Sequence, residues 1–309
     1  MRGIKWPLLL LAILLIFVAA CSPDASTPPG DVVDDLGRSV SIEEIPQRII
    51  SLAPSNTEIL FALCLGEKVV GVTEHCNYPP EASDKENVGG YSTPNIEKII
   101  ALQPDLILAD SIHTEEIIPA LEGMGLTVFA LAPKNLAGIL EDIRMAGKVT
   151  GKENEASKLV TQMESRINAV TDKTKDLPEK PRVFYITWHD PLWSIGSGTT
   201  IQELIETAGG VNIFQDDFTG HKTIELESVI ARNPQVIIAC TGHGEAEDKP
   251  FEWAKEESRL GVTEARKNNR VHQVDADLVS RTGPRIVDAL EEFASFIHPE
   301  IFGEPKGGD

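Results

Sequence analysis

The sequence predicts an α/β protein of two α/β lobes, each with a mostly parallel sheet, joined by a long helical segment. Three observations predict it. From residue 31 to 135, short apolar runs alternate with helix-spaced runs. From 136 to 180 the spacing becomes helical throughout. From 181 to 303 the alternation returns. Alternating strands and helices are the pattern of a parallel sheet covered by helices on its faces.

The elements follow in order. In the first lobe "DDLGRSVSI" (residues 34–42) reads as two short strands about a Gly turn. "RIISLAP" reads as a buried strand ending at Pro54. Ser55 and Glu58 in "SNTE" then offer a capping box for the helix "EILFALCLG", which Gly66 stops. "KVVGVT", "DLILAD" and "TVFAL" read as strands, with "PNIEKIIAL" and "EEIIPALEGMG" as helices between them. In the connector, Ala156, Leu159, Val160, Met163, Ile167 and Val170 recur at helical spacing. Two helices, or one bent near Gly151, fit this stretch. In the second lobe "RVFYIT", "QVIIAC" and "RVHQVD" read as strands. "TIQELIETAGG", "LESVIAR" and the closing "PRIVDALEEFASFI" read as helices. The chain crosses between lobes once, through packed helices, so large closure motions are not expected.

The N-terminus has its own character. "MRGIKW" carries Arg2 and Lys5, and "PLLLLAILLIFVAA" is an apolar run ending at Cys21. A positive start, an apolar centre and small residues before a break describe a secretory signal over residues 1–20. "VAAC" resembles the lipobox of bacterial lipoproteins, which implies that Cys21 becomes the lipid-carrying first mature residue. Residues 21–30, with "SPDASTPPG", read as a flexible tether. Residues 304–309 read as a tail. The body of the protein is thereby expected outside the cytoplasmic membrane, held to it by the anchor.

At 309 residues with 41% hydrophobic and 25% charged content, the composition is that of a globular protein with ample core. The formal net charge of −20 argues against a nucleic-acid partner, since phosphate binding needs a positive footprint. Beyond Cys21, three cysteines remain: Cys64, Cys76 and Cys240. Cys64 and Cys76 could bridge; small buried hydrophobes are the preferred reading. No zinc-type spacing occurs.

One phrase is written twice. "IEKIIALQPDLILA" (residues 96–109) returns as "LESVIARNPQVIIA" (residues 226–239). Glu97 and Glu227 hold the same place, as do Thr93 and Thr223, at an offset of 130. Each Thr can cap its helix, and each Glu falls in a first turn where the helix dipole favours a carboxylate. Any α/β lobe yields helix, Pro and strand; that bland reading covers one lobe better than it covers the repetition.

"RIISLAPSNTEILFAL", "VVGVTEHCNYPPEA", "VGGYSTPNIEKIIALQPDLILA" and "AGGVNIF" resemble the substrate-binding proteins of ABC importers for metal chelates, the group serving cobalamin, haem and ferric siderophores. The cobalamin-binding members look closest. The likeness runs in order through the whole mature chain. It implies a helical-backbone periplasmic-binding-protein fold, a monomer with no intrinsic cofactor and no catalysis, and a ligand held between the lobes. It implies an ABC permease dimer with its ATPase subunits as partner, with Glu97 and Glu227 meeting its two identical halves. It implies ligand contacts from Tyr91, Trp193, Asp277 and Arg281, with Asp277 and Arg281 gripping corrin amides.

Other residues of the ligand set come from the loops expected at the cleft: His75, Trp188 and His221. His75 and His221 stand where the cobalamin relatives carry a Tyr and a Trp. As imidazoles they can serve as axial ligands of a bound metal macrocycle, which keeps cobinamide, other corrinoids and haem beside cobalamin. Either alone is better read as a loop residue hydrogen-bonded to backbone; it is their placement together, six residues before Glu227 and beside the "NYPP" turn, that points to the cleft. Arg285 divides evenly between ligand contact and salt bridge, and Trp253 reads as packing. Arg281 and Arg285 are the main cations there, which favours a nearly neutral ligand over an anionic ferric chelate. A rival of another class is an extracytoplasmic metal-dependent hydrolase using His75, His113, His189 and His243. It lacks a HExxH pair, and "GSGTTI" lacks the G-x-S-x-G elbow of a serine nucleophile.

Overall fold

The computed structural model describes residues 28–241 and 249–305. The signal segment, Cys21, most of the tether, His243 and the end of the tail lie outside the described residues. A hairpin of β1 (Gly30–Val33) and β2 (Ser39–Ile42) leads into the first lobe. There β3 (Ile49–Ser51), β4 (Val69–Val72), β5 (Glu86–Asn87), β6 (Leu106–Ala109) and β7 (Val128–Ala130) form a sheet of order β5-β4-β3-β6-β7. Every pairing in it is parallel. Helices α1 (Pro54–Ala62), α2 (Ile96–Ala101) and α3 (Ile117–Glu122) make the crossovers.

The connector is a pair of helices, α4 (Leu136–Thr150) and α5 (Glu153–Thr174). Gly151, at φ 68°, ends α4 in the left-handed region that suits glycine. At 22 residues, α5 is about 33 Å long. Ala156, Val160, Met163 and Val170 are buried, and Leu159 and Ile167 pack partly buried beside them. A Cβ on Gly147 of α4 would come 2.5 Å from that of Ala156, so only glycine allows the two helices to lie this close.

The second lobe contains β8 (Arg182–Ile186), β9 (Trp188–His189), β10 (Leu192–Ile195), β11 (Val211–Asn212), β12 (His221–Thr223), β13 (Val236–Cys240) and β14 (Val271–Val274). β11-β8-β13-β14 is again parallel throughout. β12-β10-β9 is a separate antiparallel layer. The helices are α6 (Thr200–Thr207), α7 (Leu226–Arg232), α8 (Lys249–Glu256), α9 (Glu264–Lys267), α10 (Ala276–Ser280), α11 (Ile286–Ile297) and α12 (Pro299–Phe302). One apolar cluster runs from Val32 and Ile49 through α4 and α5 to Phe293 and Ile297, so lobes and connector share a core. No helix among the described residues is long and apolar enough to cross a membrane.

Several local expectations are corrected. α1 begins at Pro54, whose fixed φ and missing N–H suit the first helical position, and it has no side-chain cap. Ser55 and Glu58 are therefore inside the helix, where both are buried. Asn95, not Thr93, caps α2 by accepting from the Lys98 N–H. Thr223 lies in β12, and Glu225 precedes α7 without a side-chain cap. For Cys76 the preferred reading holds instead: it is a buried free thiol 3.3 Å from the Thr73 hydroxyl and forms no bridge to Cys64.

Candidate functional site

In each parallel sheet the first strand, β3 or β8, sits inside, with later strands added on both sides. Such a switch of direction leaves a crevice beyond the carboxyl ends of the strands, where α/β proteins place ligands. The loops after β4 and β5 carry His75, Asn77, Tyr78 and Tyr91, and the loop after β6 carries Asp110 and His113. From the other lobe come Trp188 after β8 and Asp277, Arg281 and Arg285 after β14. These two edges meet directly.

The meeting point is ionic. Glu58 of α1 is 3% exposed. Arg285 forks onto it, with Nε 2.9 Å from Oε2 and Nη2 2.6 Å from Oε1. Arg281, 8% exposed, places Nη1 3.3 Å from Glu58 Oε1 and 2.7 Å from Asn77 Oδ1. Its Nη2 donates to the His75 carbonyl at 3.1 Å and to Asp277. The Arg285 guanidinium also stacks 3.9 Å over the Tyr78 ring, a cation–π contact. Burial alone would depress the Arg285 pKa, but the bonds to Glu58 outweigh it and the net shift is upward. Two cations and two carboxylates thus compensate each other across the lobes. Glu58, Tyr78 and Arg285 also line a cavity of about 540 Å³ toward the connector, with Met163, Arg166 and Val287 opposite. None of the sequence-predicted ligand residues lines that cavity.

In the first lobe Tyr91 is half-buried and anchored. Its hydroxyl lies 3.1 Å from Asp110 Oδ2, and its ring meets His113 edge-on at 5.6 Å. Burial first, then the Asp110 carboxylate, raises the phenol pKa. His113 is fully buried and engaged at both ring nitrogens: Nδ1 accepts from the Asp110 N–H, so Nε2–H donates to the Tyr91 carbonyl at 2.7 Å. His75 is open to solvent, its side chain 67% exposed, with Glu74 3.4 Å away.

The second lobe offers a different surface. Trp193 pairs across the antiparallel layer with Trp188 on one side and Thr223 on the other, and Ile195 pairs with His221. Opposed residues on neighbouring strands share a face, and so do alternate residues along one strand. Trp188, Trp193 and His221 are therefore brought to one face. Trp188 Nε1 donates to the Asp190 carbonyl at 2.9 Å, and the His189 ring lies 5.0 Å from the indole. His221 is exposed by area, yet its surroundings desolvate the ring enough to lower its pKa. Trp253 packs against the core of this lobe.

Of the expected ligand residues, Arg281 departs most: its donors are spent on Glu58, Asn77, His75 and Asp277. Arg285 resolves to a salt bridge, and one between lobes. Glu58 was missed, since "SNTE" before an apolar run reads as a cap; only its Arg partners, 223 and 227 residues on, reveal the role. Glu97 is exposed in the first turn of α2 with no ion-pair partner among the described residues. Glu227 is 72% exposed in the first turn of α7, 3.5 Å from Arg259. Among the described residues no group of three or more His, Cys, Asp or Glu is placed to hold a metal ion.

Comparison with known proteins agrees with this architecture. Residues 49–278 match the periplasmic binding protein family. The chain is 33% identical over 318 residues to an uncharacterised ABC transporter substrate-binding lipoprotein, YvrC, of Bacillus subtilis, covering 97% of this chain and 98% of the relative. It superposes on the vitamin B12-binding protein BtuF of Vibrio cholerae with a TM-score of 0.71 at 30% identity, covering 84% of this chain and 98% of the other. With the haem-binding protein RhuT of Roseiflexus the TM-score is 0.71 at 27% identity, covering 82% and 98%.

Proposed function

Since this chain belongs to the periplasmic binding protein family, as a substrate-binding protein of an ABC transporter, we propose that it captures a corrinoid, cobalamin or a close relative, between its lobes and delivers it to the permease. The observation that carries the choice of cargo is the compensated cluster of Glu58, Asp277, Arg281 and Arg285. Haem brings carboxylates and ferric siderophores are commonly anionic, and both call for free cations. Here the two arginines are already matched by two carboxylates, which suits a cargo whose periphery is amide. Trp188, Trp193 and Tyr91 supply flat apolar area, the larger part of the binding energy. Asp277 accepts from peripheral amides. At least one of His75, which is open to solvent, and His221 reaches the metal face or edge.

The same reading makes the protein a monomer that performs no catalysis, anchored by lipid on Cys21 outside the cytoplasmic membrane. Glu97 and Glu227 meet the two halves of the permease. Exposed ion pairs are individually weak, so these serve register and steering more than affinity. A second reading, haem or a ferric siderophore as cargo, draws on His221: its lowered pKa leaves the imidazole neutral and able to ligate iron. A hydrolase built on the histidines loses His113, whose two ring nitrogens are both engaged.

The test is calorimetric titration with cyanocobalamin, cobinamide, haemin and ferric siderophores. Corrinoid binding in the micromolar range or tighter is expected. Tight haemin or siderophore binding with no corrinoid binding would make the cargo wrong.

A further inference from the structure

Glu58 is the most deeply buried charge at the lobe junction, and nothing local asks for a carboxylate there. α1 begins at Pro54 without a side-chain cap, and Glu58 lies inside the helix. Its two oxygens take donors from Arg281 and Arg285 of the other lobe. A buried ion cluster is weak evidence for stability, because an apolar replacement of similar volume is often no worse. Its effect on charge is definite. With Glu58 and Asp277 ionised, the two guanidinium charges are cancelled. Without Glu58 the cluster of Asp277, Arg281 and Arg285 carries a net positive charge.

We infer that Glu58 determines the charge preference of the binding site: from the lobe opposite Arg281 and Arg285 it spends both guanidinium groups, so the site takes a neutral chelate and rejects an anionic one. The inference rests on the proposed transport of a metal macrocycle, and it concerns a residue that does not itself touch the ligand. Glu58 acts through the two arginines and is a positioning residue. Asp277 adds to the same cancellation from its own lobe, at a more exposed position.

The experiment measures affinities for cyanocobalamin, which is neutral, and haemin, which carries two propionates, in the wild-type chain, Glu58→Gln and Asp277→Asn. Thermal melting establishes that each variant is folded. The haemin-to-cyanocobalamin affinity ratio is expected to rise by about tenfold or more in Glu58→Gln, and by less in Asp277→Asn. Haemin binding by Glu58→Gln should weaken with added salt more than cyanocobalamin binding does. Adding Arg285→Gln to Glu58→Gln should return the ratio toward wild type, which a merely structural role would not produce. An unchanged ratio in folded Glu58→Gln overturns the inference; if that variant does not fold, an unchanged ratio in Asp277→Asn does so. Should the wild-type chain bind no corrinoid, the proposed cargo fails on its own. The inference then stands or falls on whether Glu58→Gln gains haemin affinity over wild type.

Discussion

Residues 96–109 and 226–239 say nearly the same thing, and the two lobes build nearly the same object from them. α2 and β6 in one correspond to α7 and β13 in the other. Gln103 (φ 48°) and Asn233 (φ 45°) each take the left-handed region just before a proline, uncommon for residues other than glycine. Each helix end is then bracketed by an arginine from the head of the lobe's first strand. Arg48 Nε donates to the Leu102 and Gln103 carbonyls at 3.0 and 3.2 Å. Arg182 Nε donates to the Arg232 and Asn233 carbonyls at 3.1 and 3.0 Å. Helix-end carbonyls lack donors within the helix, and the arginines supply them. Even the residues after the prolines correspond: Asp105 and Gln235 side chains accept from the backbone N–H groups of Arg48 and Arg182. The likeness stops at the start of each helix. Asn95 caps α2, but no side chain caps α7. Glu97 stands clear, whereas Glu227 faces Arg259. The repetition is first a way to build a lobe, and only the exposed glutamates exceed what that requires.

The largest expected effect tests the brackets. Arg182→Ala should cost roughly 2–3 kcal/mol in denaturant unfolding, since two partly buried carbonyls lose a charged donor. Arg48→Ala, at a more exposed site, should cost less. No loss in either would dissolve the structural equivalence. The connector breaks the likeness in another way. Against the first lobe α4 buries Asp142, with one oxygen lacking any donor; burial first, then the Asp35 carboxyl, pushes its pKa up to about 9. Against the second, α5 meets α11 through Arg166, Asp288 and Glu291 near the surface. Asp142→Asn should therefore stabilise the fold by roughly 1–2 kcal/mol at neutral pH. With the folded pKa above the unfolded value near 3.8, folding takes up a proton between them. Stability from this group is present at low pH and declines as pH rises toward 9. The Asn variant should lose that decline, as melting temperature against pH will show. Arg166→Ala should shift stability by no more than about 1 kcal/mol.

Smaller effects sharpen the helix starts. Asn95→Ala should cost about 1 kcal/mol, and Glu225→Ala no more than about 0.5 kcal/mol. Equal losses would mean that α7 has a capping interaction after all. The least costly to the fold are the glutamates. Replacing Glu97 and Glu227 together with Ala should leave cargo affinity and melting temperature unchanged while reducing transport in cells, most of all at low salt, where exposed charges are least screened. Full transport by the double variant would remove the docking role.

The alternation of strands and helices, the helical connector and the repeated phrase were legible because each depends on neighbouring residues and on period. Helix starts were misread where two local signals competed: at Pro54 the fixed φ of proline began α1 ahead of Ser55, and at Asn95 a residue nearer the helix replaced Thr93. The polar cluster of the candidate site was legible only in part. Asp277 and Arg281 stand four apart and pair within one segment, but the partner that decides the fate of Arg281 lies in the other lobe. His113 entered the rival hydrolase reading because sequence does not reveal that its two nitrogens are taken by the backbone of Asp110 and Tyr91. The shared face of Trp193 and His221 depends on a strand register that no local pattern announces.

The single crossing between lobes has a consequence for the order in which the molecule is finished. Each sheet is made from one continuous stretch of chain, so each can assemble as a unit before the two lobes join. Glu58 belongs to the first lobe, yet Arg285 follows it by 227 residues. Until the second lobe has formed, the glutamate remains hydrated, and the face that will become the junction stays open. Sealing of the lobes is then the closing event of biogenesis. A chain cut before residue 281 would retain every strand of its first sheet but lack both arginines of the junction, leaving the Glu58 face of α1 without its partners.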